Sequence, residues 1–300
     1  MRGATVTWGD VYVTVFFIIS GALLRYNNPE IQDISRFYKK RFMAIFPPYY
    51  IAWGCMYILS AIKNRNVFYK GNPISILLSL IGMDSYLSYK INGYYILGEW
   101  FVGAIVLLYL VYPIVVFWNK KSKLLSCSVI GIMYIASLAF NITGMSSFRT
   151  LPSCLLSFYI GYLMVEYYNY MNRFIFGLMI MVLLGIAFLK MNLPNIEAHI
   201  IGGAVALILY GIGTNIMHEG FLTRIVMWIS KRSYYIFLIH HVVICQMIKK
   251  FGNVQATKEK VAILIITLFV IIFFTEMLKK ATSRVLTLLN QVKLGRKETI

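Results

Sequence analysis

Acidic residues are scarce in this sequence. Asp and Glu number 11 in 300, and charged residues of both signs make up only 13%. A soluble globular domain carries roughly 25% charge, so no separate soluble domain fits within the chain. Histidine and cysteine are also sparse, with four of each. Cys55, Cys127, Cys154 and Cys245 stand singly inside apolar runs. That pattern excludes a disulfide framework and supplies no CxxC or metal-ligand spacing, so no metal is expected and the cysteines read as small hydrophobes.

Apolar residues are abundant, at 59% against roughly 45–50% in ordinary domains. They are grouped in long runs bounded by charge, the pattern of a polytopic membrane protein. About nine runs are long enough to span at ~20 residues each: Trp8–Tyr26, Phe42–Ile62, Tyr94–Trp118, Leu124–Asn141, Leu151–Tyr168, Phe174–Lys190, Ala198–Met217, Ile225–Ile248 and Val261–Leu278. Pro73–Met83 is too short to cross and precedes the polar pair Asp84-Ser85. It reads as a re-entrant segment, tolerable at membrane depth only when buried in protein or lining a cavity. The expected fold is therefore an all-α polytopic membrane protein with about nine transmembrane helices plus one re-entrant segment, a single domain over residues 1–300.

The net charge of +18 would suggest nucleic acid in a soluble protein. Here the cations sit in short loops between apolar runs, so topology and anionic lipid account for most of them, and no nucleic-acid partner is expected. With Pro73–Met83 not crossing, 18 of the 29 Lys and Arg fall on one side. The positive-inside rule makes that side cytoplasmic. It holds a basic loop, Arg25–Arg41, between the first two apolar runs. The same count leaves Met1 outside, as if one helix were missing at the start.

Several elements carry chemistry. Phe16, Phe17, Ser20 and Gly21 precede the basic loop, Lys40 and Arg41 close it, and Pro47 and Tyr49 follow. WFVGAIVLLYLVYP runs from Trp100 to Pro113, and ISKRSYYIFLIH from Ile229 to His240. In this order, over nearly the whole chain, they resemble the integral-membrane acyltransferase-3 family, whose members O-acylate sugars and polysaccharides. The resemblance implies a bacterial inner-membrane, multi-pass enzyme with acyl-coenzyme A as donor, most simply acetyl-coenzyme A, and no tightly bound cofactor. It implies a hydroxyl acceptor on a cell-surface glycan or a lipid-linked sugar.

The departures from that family pattern are as informative. The family's first helix carries an Arg and a catalytic His, and no residue here takes those places. A second Arg expected three residues after Arg41 is Ala44. The cofactor-binding expectation therefore falls on Arg36, Lys39, Lys40 and Arg41, whose charges suit the phosphates of coenzyme A; the plain alternative is a topology signal. His240, at mid-span, is the candidate base, because an ionisable group at depth is a functional hypothesis; a neutral His bonded to its surroundings is the alternative. His241 points ~100° away on a helix. Glu99 and Trp100 are the candidate acceptor-binding pair, although an acid at a helix start is stabilised by the dipole without any function. Glu166 reads as reaching water or meeting Arg173. The rival class is a non-catalytic or transport-type protein of glycan export. A transporter is expected to show paired broken helices in two related halves, and only one interrupted segment is visible in the sequence.

Overall fold

The computed structural model describes residues 8–87, 93–94, 96–140, 147–167, scattered positions between 175 and 185, 194–215, 220–254 and 256–295. The described elements are helical: α1 (Trp8–Asn27), α2 (Ile34–Asn64), α3 (Ser75–Leu80), α4 (Asp84–Leu87), α5 (Glu99–Lys121), α6 (Lys123–Ala139), a 3-10 turn (Ser147–Arg149), α7 (Leu151–Glu166), α8 (Pro194–Asn215), α9 (Phe221–Ser230), α10 (Ser233–Phe251) and α11 (Thr257–Gly295). Among these residues, five helices are long and apolar enough to cross a membrane, within α1, α2, α5, α8 and α11. Helices satisfy their own backbone polar groups, which is the condition for crossing lipid. The protein is a multi-pass helical membrane protein.

Several expected boundaries move. Leu124–Asn141 and Leu151–Tyr168 become helices of 17 and 16 residues. The expected span Phe174–Lys190 lies largely outside the described residues. Ile225–Ile248 is broken, because α9 stops at Ser230 and α10 begins at Ser233. The break holds Arg232, whose guanidinium lies 4.1 Å over the Trp228 ring and bonds Glu276 on α11. A cation inside an apolar run must find a partner, and turning the chain here brings Arg232 to one. Pro73–Met83 becomes the six-residue α3, about 9 Å long and too short to cross. The turn that follows it contains Gly82, whose φ of +72° suits glycine.

The basic loop is shorter than expected. The Asp33 carboxylate accepts from the Arg36 N–H at 2.9 Å, an N-cap that starts a helix at Ile34. Arg36, Lys39, Lys40 and Arg41 therefore stand on the first turns of α2, not in a loop.

The chain divides into two compact units: Met1–Tyr38 with Ala104–Gly220, and Lys39–Gly103 with Phe221–Ile300. In the first, α1 and α7 meet at glycines. A Cβ on Gly21 would sit 1.9 Å from the Phe158 carbonyl oxygen, and one on Gly161 would sit 1.8 Å from that of Ile18. Small residues that let backbones touch are how helices associate without a hydrophobic driving force. In the second unit, Gly103 packs on the Gly82 carbonyl, which holds α3 to the start of α5.

Candidate active site

The second unit contains most of the expected site residues. Lys39 and Lys40 are exposed and Arg41 is half-buried on the entry turns of α2. No acid occupies the first turn of that helix. The Asp33 carboxylate caps the helix N-terminus itself, so what this entry offers an anion is the charge of Arg36, Lys39, Lys40 and Arg41. A little further along, Pro47 and Pro48 remove N–H donors that would meet the carbonyls of Met43 and Ala44. At that height the Tyr234 hydroxyl of α10 donates to the Ile45 carbonyl at 3.1 Å. The basic entry of α2 is thereby joined to the helix that carries His240.

His240 is half-buried on α10. Its Nδ1 lies 2.7 Å from the Phe237 carbonyl oxygen. A carbonyl only accepts, so Nδ1 carries the proton and Nε2 keeps its lone pair. The Phe237 ring lies 5.4 Å from the imidazole on one side and 4.1 Å from Phe101 on the other. His240 is thus one aromatic ring away from the start of α5, where Glu99 and Trp100 stand. His241 is exposed.

Glu99 is fully buried. Its Oε1 accepts from the Ile96 N–H at 2.7 Å, and Oε2 from the N–H groups of Leu97 and Gly98, both at 3.0 Å. The carboxylate folds back onto the turn before its own helix and holds it in shape. Trp100 follows, its ring edge-on to Phe101 at 6.2 Å.

Beside this turn lies an acid not singled out from the sequence. Asp84 is 1% exposed, and its Oδ2 accepts from the Ser79 hydroxyl. The Ser79 carbonyl in turn accepts from the Tyr49 hydroxyl of α2. Gly93 packs against the carboxylate so closely that a Cβ there would lie 2.9 Å from it. Burial, reinforced by the nearby Glu99 charge and opposed by the Ser79 bond and Lys70, pushes the Asp84 carboxyl up to about 6. The only hint in the sequence was its place immediately after the interrupted segment.

The first unit holds a different constellation. Arg25 closes α1, and both its Nε and Nη2 donate to Glu166 Oε2, at 2.9 and 2.5 Å. Lys123 Nζ pairs with Glu166 Oε1 at 2.9 Å, and the Arg25 guanidinium lies 5.0 Å over the Tyr162 ring. These residues, with Glu30, Asn119 and Lys120, line a cavity of about 630 Å³. Glu166 is therefore spoken for by Arg25 and Lys123; Arg173, its expected partner, lies outside the described residues.

A family model described as an acyltransferase domain, that of the acyltransferase-3 proteins, matches residues 1–276. No curated protein and no solved structure matches the chain.

Proposed function

Since the chain belongs to the acyltransferase-3 family, we propose that it transfers an acyl group, most simply acetyl, from acyl-coenzyme A to a hydroxyl of a glycan or lipid-linked sugar. Arg36, Lys39, Lys40 and Arg41 take the phosphates of the donor. His240 is the general base, with Nε2 accepting the proton of the acceptor hydroxyl. The oxygen attacks the thioester carbonyl, the C–O bond forms and the C–S bond breaks, and the thiolate leaves with the proton returned by the imidazolium. The developing oxyanion is met by cationic and N–H donors. Glu99 shapes the turn on the acceptor side, and Trp100 offers a flat face to a sugar ring.

The observation that carries this reading is the bond from Tyr234 to Ile45. His240 follows Tyr234 by six residues, about 9 Å along one helix, so phosphate-binding charge and candidate base share a single packed element pair. The transport reading gains one further interrupted segment, the α9–α10 break. Both interruptions lie in the same unit, not one in each of two related halves as a transporter would place them.

The test is release of free coenzyme A by the purified chain supplied with acetyl-coenzyme A and membrane glycans. His240→Ala is expected to lower turnover by about 10²–10⁴-fold. Lys40→Ala and Arg41→Ala are expected to raise the KM for the donor while sparing kcat. Undiminished transfer by the His240→Ala protein would remove His240 from the role of base.

A further inference from the structure

The ten-residue helix α9 buries none of its side chains, and Phe221, Leu222, Ile225, Val226, Trp228 and Ile229 are all exposed. At about 100° per residue these six fall within one arc of roughly 160°. The opposite arc holds Thr223, Arg224, Met227 and Ser230. Lys231, whose N–H still donates to the Met227 carbonyl at 3.1 Å, continues it. A helix of this length reaches about 15 Å, half the thickness of a bilayer's hydrocarbon core, so α9 does not cross. An amphipathic helix with an uncovered apolar face belongs along the boundary between headgroups and acyl chains.

The depth of α9 is fixed by a contact within its own unit. Arg232, just after the helix, bonds Glu276 of α11. Glu276 stands where the apolar run of α11 gives way to charge. No charged residue occurs from Val261 to Thr275 before it, whereas Lys279 and Lys280 follow within one turn and act on its carboxylate. The end of α9 therefore lies at one edge of the span and not at mid-depth. The charge count assigns both segments to the cytoplasmic side.

The charge at this edge has one sign. Neither Phe221–Ser233 nor Met277–Gly295 contains an Asp or Glu. Glu276 is engaged by Arg232, and Arg224, Lys231 and Lys280 are exposed. A face that is apolar on one side and cationic on the other complements a leaflet with anionic headgroups. A second copy of the chain would instead bring cation against cation here.

We infer that α9 is a membrane-surface helix, seated by its apolar face in the cytoplasmic leaflet and gathering anionic phospholipid around Arg224, Lys231 and Lys280. The inference goes beyond the acyltransferase reading and does not depend on it.

The test replaces Ile225 or Thr223 of the full chain with photo-reactive benzoylphenylalanine and reconstitutes each protein in equimolar phosphatidylglycerol and phosphatidylcholine vesicles. Adducts are identified by mass spectrometry after irradiation. Position 225 is expected to capture phospholipid, enriched in phosphatidylglycerol, and position 223 little or none. R224E/K231E, at an unchanged thermal midpoint, is expected to capture as much lipid at position 225 but in the proportions of the vesicle. Lipid adducts from both positions would mean a helix sunk in hydrocarbon. Adducts with another copy of the chain would mean a dimer contact, and no adducts a helix in water. Each of these results would overturn the assignment, as would a phosphatidylglycerol preference that survives R224E/K231E.

Discussion

Two helix pairs in this protein solve the packing problem in opposite ways. Between α1 and α7, Gly21 and Gly161 bring backbone against backbone, leaving no room for even a methyl group. Between α10 and α11 the facing residues are large, and a groove remains open. In lipid there is no hydrophobic drive to close such a gap, since a hydrocarbon chain fills it as well as a side chain does. The closed pair is thus a scaffold, while the open pair leaves its gap to the surrounding hydrocarbon. The handling of acid follows a similar division. Glu166 in the first unit is held by two cations, whereas Asp84 in the second has the Ser79 hydroxyl.

The largest effect is expected where the closed pair is forced apart. Gly161→Ala drives a methyl group into the Ile18 carbonyl and should destabilise the protein by about 3 kcal/mol or more, read as a fall in the thermal midpoint in detergent. Leu264→Ala in the open pair should change the midpoint little, because Leu264 is 58% exposed. Equal losses in the two variants would erase the contrast.

Next in size is the acid held by cations. Glu166→Gln leaves Arg25 and Lys123 without their carboxylate partner, and partly buried pairs broken from one side lose about 2 kcal/mol. Unfolding of the variant by denaturant should show a lower midpoint at unchanged slope.

A third effect, confined to one range of acidity, should appear as a pH dependence. Folding raises the Asp84 carboxyl from an ordinary ~3.9 to about 6, so the fold prefers its protonated form. Its contribution is complete below pH ~4 and is lost as pH rises through 6, amounting to about 3 kcal/mol when the loss is complete. Asp84→Asn should flatten the stability profile in that window alone. A profile unchanged by the substitution would show that Asp84 is not held in this way.

The sequence by itself determined that the chain is helical and lies in a membrane. Lipid demands that each crossing segment satisfy its own backbone, so an apolar run and a helix become nearly the same object. Trp8–Tyr26 was legible for that reason and corresponds to α1 almost residue for residue. His240, Glu99 and the basic cluster were legible as rare polar groups in an apolar setting. What those groups touch was decided only by the tertiary structure. Arg25 and Glu166 meet across 141 residues of chain, while the expected partner of Glu166, Arg173, stood nearby in sequence. The Asp33 cap turned a basic loop into a helix, and Arg232 broke an apolar run to reach Glu276. Charges in a low-dielectric setting find whichever partner packing brings near, and that choice is made by helix faces meeting in space.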